Sequence, residues 1–292
     1  MKINKVIVLI NSKANSSHLD KKVFDESKAH IEKFMPCEFI YTTSIEDYKE
    51  KLAKYSADPG NLIAPAGGDG TINIALNNVT KDTVVGLIPS GTANVIAKEF
   101  GLPKKLKDCF KLLLTGAVKD VDLGVCNGQR FAFVCGIGFD AEAAASVSHK
   151  LKSYLGQGAY VFSAIKTMLF YKPALLTITD DKGIVHEGYF AIFANMRRYG
   201  GGLSFAPEAR YDDGILNLVL LKKYGFLPLL KLIKYAFGLG SFPETLAEKV
   251  NARSFHVEAS KPSYYELDGE VFGPADKFDM SVDEGGQRII IP

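Results

Sequence analysis

The spacing of apolar and polar residues changes at about Asp122. Up to that residue, patterns typical of strands alternate with patterns typical of helices. Short apolar runs over residues 6–10, 38–42, 61–66 and 83–89 predict buried strands. Between and after them, apolar residues recur at helical spacing, which predicts helices over residues 19–34, 45–55, 71–78 and 94–100. This β-α-β-α order predicts an α/β domain with a parallel sheet and flanking helices.

Strand-like patterns dominate the rest of the chain. They predict strands over residues 130–135, 175–179, 189–194, 215–221, 254–258 and 277–282, and helices over residues 158–171 and 226–237. We therefore expect an α/β domain over residues 1–122 and a second, β-rich domain over residues 123–284. The last apolar strand, residues 287–291, has no evident partner, and a return of residues 285–292 to the first domain is one arrangement.

Composition narrows the classes of function. A net charge of +2 over 292 residues does not suggest the basic stripe of a nucleic-acid-binding protein. None of the four cysteines forms a CxxC pair, which indicates buried, reduced thiols in a cytoplasmic protein. No uncharged apolar run reaches the ~18 residues that span a bilayer. Any contact with lipid is therefore expected from the water side, at the inner face of the membrane.

The strongest local signal is a glycine-rich loop between a predicted strand and a predicted helix. Gly67, Gly68 and Gly70 let the backbone approach a ligand without Cβ clashes. The N–H groups of the following helix favour phosphate. Asp69 is suited to orient a metal ion or its waters, and Thr71 offers a hydroxyl or an N-cap. The alternative is a simple strand-to-helix turn with Asp69 on the surface.

A second glycine-containing loop between a strand and a helix makes that alternative less favourable. Gly91 and Thr92 also follow a strand and open a helix. Two such loops at the carboxyl ends of parallel strands line a common crevice. No GxxxxGK[ST] sequence occurs, which excludes a P-loop, and no third glycine completes a dinucleotide fingerprint. Phosphoryl transfer at this site would rely on backbone donors and Mg²⁺.

Taken in order, these segments resemble the bacterial diacylglycerol-kinase-type lipid kinases, within the superfamily that also holds sphingosine and NAD kinases. The resemblance rests on seven segments: Gly67–Thr71, residues 91–94, residues 121–124, residues 136–141, Gly200–Gly202, residues 207–216 and residues 267–270. It implies ATP and Mg²⁺ as cofactors. It also implies that residues 1–122 form a nucleotide-binding domain, that residues 123–284 form a sandwich-like lipid or substrate domain, and that the nucleotide cleft lies between them. It further implies phosphorylation of the hydroxyl of a lipid alcohol such as diacylglycerol.

The resemblance also assigns roles to individual residues. The implied ATP contacts are Asn11, Thr42 or Thr43, Gly67, Gly68, Asp69, Gly70, Thr71, Asn73, Gly91 and Thr92. Glu270 matches the general base, and its neighbour Asp268 is the second choice. The implied Mg²⁺ ligands are the carboxylate of Asp213 and the carbonyls of Arg210 and Ile215, with Asp122 bridging Asp69 and the metal through water.

From the residues alone, simpler interpretations of the two acidic motifs remain. Asp268-Gly269 is a strong hairpin signal, which explains those two residues but not Glu270. Asp212-Asp213-Gly214 is equally a turn by composition. The first loop, residues 11–15, lacks the glycine that the family usually has there.

Two rival functions stay open. Val95 and Ile74 stand where the family often has carboxylates, which motivates a catalytically silent nucleotide or lipid binder. An NAD kinase would carry the same glycine loop. That family also uses an Asn-Glu dipeptide, and none occurs in this chain.

Two stretches combine large apolar residues with lysines and are candidates for a lipid-facing surface. The first, residues 150–172, is rich in aromatic and aliphatic residues such as Tyr160 and Phe162 and also contains four lysines. The second, residues 226–242, includes Lys231 and Lys234. Basic amphipathic helices can rest on an anionic membrane. The alternative is that both helices cover the β-rich domain with lysines outward. A transient membrane surface, a lipid substrate and a homodimer are the expected partners.

Overall fold

The computed structural model describes residues 3–11, 21–138 and 173–292. The helix predicted over residues 158–171 lies outside these ranges, as do residues 12–15 of the first loop. The chain divides into two compact units. Unit 1 comprises Met1–Asp122 and Glu284–Pro292, and unit 2 comprises Leu123–Asp283.

Unit 1 has the predicted α/β architecture. Its strands are β1 (Lys5–Asn11), β2 (Cys37–Thr42), β3 (Asn61–Gly67), β4 (Val84–Val85) and β5 (Ile88–Pro89). Its helices are α1 (Lys21–Ile31), α2 (Ile45–Ser56), α3 (Asp69–Asn78), α4 (Val95–Glu99) and α5 (Leu106–Thr115). The strands pair in parallel, so the predicted fold class of this part is confirmed.

The order of the strands creates a reversal next to β1. β1 lies between β2 and β3, and β4 follows on the far side of β3. The chain therefore runs outward to one side of β1 and then returns to build the other side. In open α/β sheets, ligands bind at the carboxyl ends of the strands where the order reverses in this way. Here those ends are Asn11 of β1 and Gly67 of β3.

The last residues of the chain complete this sheet. The terminal strand β15 (Glu270–Ile291) pairs in parallel with β4, with Arg288 opposite Val84. Gln287 is fully buried, and its amide donates to the carbonyl of Thr83 at 2.6 Å. The final apolar run therefore forms part of unit 1.

In unit 1, one predicted strand was wrong in detail and one helix had not been predicted. The single strand predicted over residues 83–89 is two short strands, separated at Gly86 and Leu87. A Cβ on Gly86 would lie 2.2 Å from the Leu113 side chain, so α5 packs directly on this backbone. Helix α5 was not among the predicted elements; its buried residues Cys109, Phe110 and Leu113 occupy one helical face.

Unit 2 is rich in antiparallel strands. They are β6 (Ala117–Cys126, which begins in unit 1), β7 (Gln129–Phe131), β8 (Val134–Gly138), β9 (Leu176–Asp180), β10 (Val185–Gly188), β11 (Phe190–Ala194), β12 (Leu216–Leu221), β13 (Ala247–Ala252), β14 (Ser254–Leu267) and the first part of β15. One described α-helix, α6 (Phe226–Ala236), follows β12, and a short 3-10 helix covers Gly200–Gly202. The predicted β-rich second part is confirmed.

The strand predicted over residues 130–135 is also interrupted. Ala132 and Phe133 leave the strand between β7 and β8 although both are buried. Both N–H groups and the Ala132 carbonyl bond to side chains from distant segments, and the Phe133 carbonyl accepts from the backbone N–H groups of Asn195 and Met196. This break in the sheet is part of the site described below.

The four cysteines are buried and unpaired, as the sequence indicated. Burial raises the pKa of Cys37 to about 12 and that of Cys109 to about 11. Within the described ranges, no helix has both the length and the apolar character needed to cross a bilayer.

Candidate active site

The two glycine loops of unit 1 touch each other. A Cβ on Gly91 would lie 2.5 Å from the Cα of Gly68, and a Cβ on Gly68 would lie 3.3 Å from the Cα of Gly91. The Ser90 N–H donates to the Gly67 carbonyl at 2.9 Å, which extends the pairing of β3 and β5 into the loops. A side chain at position 91 would overlap Gly68, so the requirement for glycine is steric there, and a side chain at position 68 would be a tight fit.

Helix α3 starts at this contact, and its first turn is open to the surroundings at Gly70. Its hydrogen bonding begins with Ile72 N–H to the Gly68 carbonyl, so the three preceding N–H groups come before the first intrahelical bond. The N-cap residue is Gly68, which has no side chain to cap the helix. A Cβ on Gly70 would meet no atom within 4 Å. This geometry suits a phosphate group.

Side-chain hydrogen bonds shape the second loop and join it to the first. Asn94 adopts the left-handed conformation, with φ of 47°. Its Oδ1 accepts from Gly91 N–H at 3.0 Å and its Nδ2 donates to the Gly91 carbonyl at 2.8 Å. Asp69 Oδ1 accepts from Ile96 N–H at 3.1 Å and so joins α3 to the start of α4. Asp69 thus has a structural contact in addition to the metal-orienting role predicted for it.

The other nucleotide-binding candidates of unit 1 lie at the same edge of the sheet. Asn11 and Thr42 end β1 and β2, are both buried, and the Thr42 hydroxyl donates to the Ile10 carbonyl at 3.1 Å. The buried Thr71 side chain covers Gly67, where a Cβ would approach it to 2.5 Å. These contacts shape the floor of the site.

Two more candidates differ in exposure. Asn73 is buried, and its Oδ1 accepts from the Asn77 amide at 3.2 Å. This hydrogen bond runs along α3, away from the two glycine loops. Thr92 is exposed at the tip of the second loop.

Tyr48 supports the first turn of α3, since its hydroxyl donates to the Thr71 carbonyl at 3.4 Å. Burial raises the pKa of Tyr48, which keeps the phenol protonated.

Replacing Gly91 with alanine should push the two loops apart. The new Cβ would lie 2.5 Å from Gly68 Cα and 2.9 Å from Asn94 Oδ1. We expect a loss of about 1–3 kcal/mol in the free energy of unfolding, the range of overpacked sites, and loss of thermal stabilisation by Mg-ATP. Gly70→Ala is the matched control for stability because its Cβ has room. Equal melting temperatures for the two variants would contradict the close approach.

Asp122 has a clear structural contact at the end of unit 1. Its carboxylate is buried, and Oδ1 accepts from Gly285 N–H at 2.7 Å. Gly285 has a positive φ of 54° and belongs to the returning strand β15. Asp122 therefore holds the returning segment in place, and its predicted link to a metal ion stays a prediction.

In unit 2, the acidic motif forms a tight hairpin. Asp268 and Gly269 connect β14 to β15 with φ values of 52° and 85°, the signs of a type I′ turn. Leu267 pairs with Glu270 across the turn. The predicted Asp-Gly turn is thus confirmed. Glu270 is the first residue of β15, and it is exposed.

The Asp268 carboxylate is directed into the break between β7 and β8. It accepts from Ala132 N–H at 2.6 Å, Phe133 N–H at 2.9 Å and Val134 N–H at 3.0 Å. Asp268 is only 8% exposed. A carboxylate that already accepts three N–H groups is poorly placed to take a proton from a substrate. The geometry therefore favours Glu270 over Asp268 as the proton acceptor and makes Asp268 a positioning residue.

Two buried polar residues that the sequence analysis did not select complete this arrangement. Glu266 is 3% exposed; its Oε2 accepts from Gly269 N–H at 2.6 Å and its Oε1 from the Tyr199 hydroxyl at 3.4 Å. Asn195 is fully buried and donates to the Ala132 carbonyl at 2.8 Å. Glu266 could have been identified from the sequence, because it is a charged residue inside an apolar run. Such a carboxylate, once buried, needs hydrogen-bond partners.

The predicted metal ligands lie in an exposed turn before β12. Gly214 has φ of 68°, and Asp213 Oδ1 accepts from Ile215 N–H at 3.2 Å. Arg210 pairs with Asp212 at 3.0 Å, and this hydrogen bond raises the pKa of the Arg210 guanidinium. Within the described ranges, no three acidic, histidine or cysteine side chains cluster as metal ligands. The oxygen donors of this turn fit at most a Mg²⁺ ion that keeps several waters.

Comparison with known sequences gives two family matches that together span most of the chain. The sequence profile of the "Diacylglycerol kinase catalytic domain" matches residues 5–126. That of the "YegS C-terminal NAD kinase beta sandwich-like domain" matches residues 133–282.

Individual relatives agree with these matches. The chain is 30% identical to the "Probable lipid kinase YegS-like" of Enterobacter sp. (strain 638) over 217 residues, which cover 71% of each protein. It is 29% identical to "Diacylglycerol kinase" of Bacillus subtilis (strain 168) over 219 residues, 73% of this chain and 72% of that protein. A crystal structure of a diacylglycerol kinase from Bacillus anthracis str. Sterne superposes with a TM-score of 0.79 at 25% identity, covering 100% of this chain and 98% of that one.

Proposed function

Because the chain belongs to the family of diacylglycerol kinases and YegS-like lipid kinases, we propose that it transfers the γ-phosphate of Mg-ATP to the hydroxyl of a lipid alcohol. Diacylglycerol is the first candidate acceptor, since the Bacillus subtilis relative is named a diacylglycerol kinase. The observation that carries the proposal is the close approach of Gly68 and Gly91 at the reversal of the sheet, beside Gly70, where a Cβ would meet no atom within 4 Å.

The nucleotide half of the reaction belongs to unit 1. The phosphates of ATP would accept from the first N–H groups of α3 and from Thr92, which is exposed at the loop tip. A P-loop lysine is absent from the sequence, so backbone dipoles provide most of the protein's share of the phosphate binding. Asn94 holds the second loop in its conformation, and Asp69 joins the first loop to the start of α4, which preorganises these donors.

The acceptor half belongs to unit 2. The Glu270 carboxylate would take the proton from the lipid hydroxyl as its oxygen bonds to the γ-phosphorus. The bond between that phosphorus and the β–γ bridging oxygen breaks at the same time, and ADP leaves. Asp268 and Glu266 fix the turn that presents Glu270, through four backbone N–H groups in total.

Mg²⁺ is the implied metal. Asp213, with the carbonyls of Arg210 and Ile215, would hold the ion together with water, and Asp122 would interact through water. The pairing of Arg210 with Asp212 directs its guanidinium to that neighbouring carboxylate. When bound, the ion would supply positive charge that offsets the charge of the phosphates.

The direct test is transfer of label from [γ-³²P]ATP with Mg²⁺ to defined acceptors. The panel should contain diacylglycerol, ceramide, sphingosine and phosphatidylglycerol in mixed micelles, and NAD in solution. We expect a labelled, solvent-extractable lipid, most strongly from diacylglycerol, and no labelled NADP. Label in NADP alone would identify an NAD kinase. Thermal stabilisation by Mg-ATP without any labelled product would indicate a silent binder.

A further inference from the structure

Large hydrophobic side chains are exposed along one short stretch of unit 2. Phe226, Leu227, Phe237 and Leu239 are 53%, 65%, 52% and 73% exposed, and Tyr224 is 39% exposed. Among the described residues, eleven large hydrophobic side chains are exposed, and these five of them lie between residues 224 and 239. Single exposed apolar residues are ordinary on protein surfaces, but a cluster marks an interaction site.

One side of the helix in this stretch is already buried against the core of unit 2. Three residues at helical spacing form that side: Leu229, Leu232 and Ala236. The opposite side carries Leu227, Lys231 and Lys234, all of them exposed. Helix α6 is therefore held on unit 2 by one face, and it presents the other face to its surroundings.

Leu239, just after the C-terminal end of α6, is held in an exposed position. Gly238 N–H donates to the Tyr235 carbonyl at 2.8 Å, and Leu239 N–H donates to the Lys234 carbonyl at 2.9 Å. Gly238 has φ of 72°. This is a Schellman motif, in which the residue at the position of Leu239 usually packs back onto the last turn. Here it is 73% exposed.

The charges of this stretch have one sign. From Gly214 to Pro243 the sequence contains four lysines and no aspartate or glutamate. Lys222 pairs with Glu248 at 3.6 Å, while Lys223, Lys231 and Lys234 are exposed beside the apolar cluster. A partner with negative charge around an apolar interior matches this pattern.

We propose that this stretch docks unit 2 on an anionic phospholipid bilayer. The α6 surface consists of Tyr224, Phe226, Leu227, Phe237 and Leu239 with Lys223, Lys231 and Lys234. Its aromatic and leucine side chains would enter the boundary between headgroups and acyl chains, and its lysines would face the anionic headgroups. A second copy of the chain fits less well, since a two-fold interface here would place like charges together. The inference deepens the proposed function, because a bilayer is where a lipid acceptor resides.

Sedimentation with extruded vesicles tests the surface without ATP or turnover. The full chain is mixed with vesicles of phosphatidylcholine alone or with about one third phosphatidylglycerol. We expect binding to the anionic vesicles that weakens with added salt. The double variant Leu227→Ser/Leu239→Ser should lower the partition coefficient about tenfold or more. Lys231→Gln/Lys234→Gln should lower it about tenfold, and only for the anionic vesicles.

The matched control changes two exposed apolar residues elsewhere in unit 2. Ile184 and Val185 are 52% and 57% exposed at the β9–β10 hairpin, and Ile184→Ser/Val185→Ser should bind vesicles as the wild type does. Equal loss in this control, or no binding by the wild type, would overturn the proposal. So would a dimer in gel filtration that dissociates in Leu227→Ser/Leu239→Ser without any vesicle binding. Vesicle binding without lipid phosphorylation would support the surface and count against the kinase proposal alone.

Discussion

Glu270→Gln should lower kcat for lipid phosphorylation by about 10²–10⁴-fold, the usual contribution of a general base. The amide keeps the size of the carboxylate but cannot accept the proton of the lipid hydroxyl. Glu270 is exposed at the start of β15, so the change should leave the fold intact. The KM for ATP should stay within a few-fold, because the proposed nucleotide contacts belong to unit 1. The measurement is steady-state labelling of diacylglycerol with Mg-ATP.

Glu187→Gln provides the matched control. Glu187 is an exposed glutamate on β10 in the same unit, and its replacement should leave kcat unchanged. If Glu270→Gln retains kcat within about threefold of the wild type, well below the contribution of a general base, Glu270 is not the proton acceptor. A raised KM for ATP with normal kcat would instead assign Glu270 to nucleotide binding.

Asp268→Ala should lower the free energy of unfolding by about 3–5 kcal/mol, because it removes a buried carboxylate that accepts three hydrogen bonds. The change leaves three N–H groups, at Ala132, Phe133 and Val134, without their acceptor in a buried part of unit 2. Each unsatisfied group costs about 1–3 kcal/mol, partly recovered as water enters. Urea unfolding followed by circular dichroism measures the loss.

Two further variants sharpen this test. Asp268→Asn keeps one carbonyl oxygen but places an amide donor towards an N–H donor, so its stability should fall between those of the wild type and Asp268→Ala. Asp276→Ala, an exposed aspartate on the same strand as Glu270, should change the stability by less than about 0.5 kcal/mol. Wild-type stability with abolished turnover in Asp268→Ala would make Asp268 a direct participant in the chemistry.

The two acidic residues of the hairpin thus have separable roles. Asp268 acts through the backbone of residues 132–134, and Glu270 acts through its exposed carboxylate. Loss of Asp268 should lower stability and activity together, whereas loss of Glu270 should lower activity alone. Unfolding free energies and kcat measured on the same preparations distinguish these outcomes.

Much of unit 1 was predictable because its signals are local. The strand β3 and helix α3 follow from short apolar runs and helical spacing within single segments. Gly68 and Gly70 indicated a close approach of backbone to a ligand. The general rule for open parallel sheets then predicted that the loops at Gly68 and Gly91 line one crevice, and the distance between them agrees.

The sequence by itself therefore determined the fold class, the glycine loops and the Asp268-Gly269 turn, since each depends on residues close together in the chain. Only the tertiary structure decided that the Asp268 carboxylate binds N–H groups 134 to 136 residues away, and that the final strand pairs with β4. It also decided that Leu227 of α6 faces outward, while Leu229 and Leu232 of the same helix face the core. These are long-range pairings, and hydrophobic periodicity specifies which face of an element is apolar but not what that face meets.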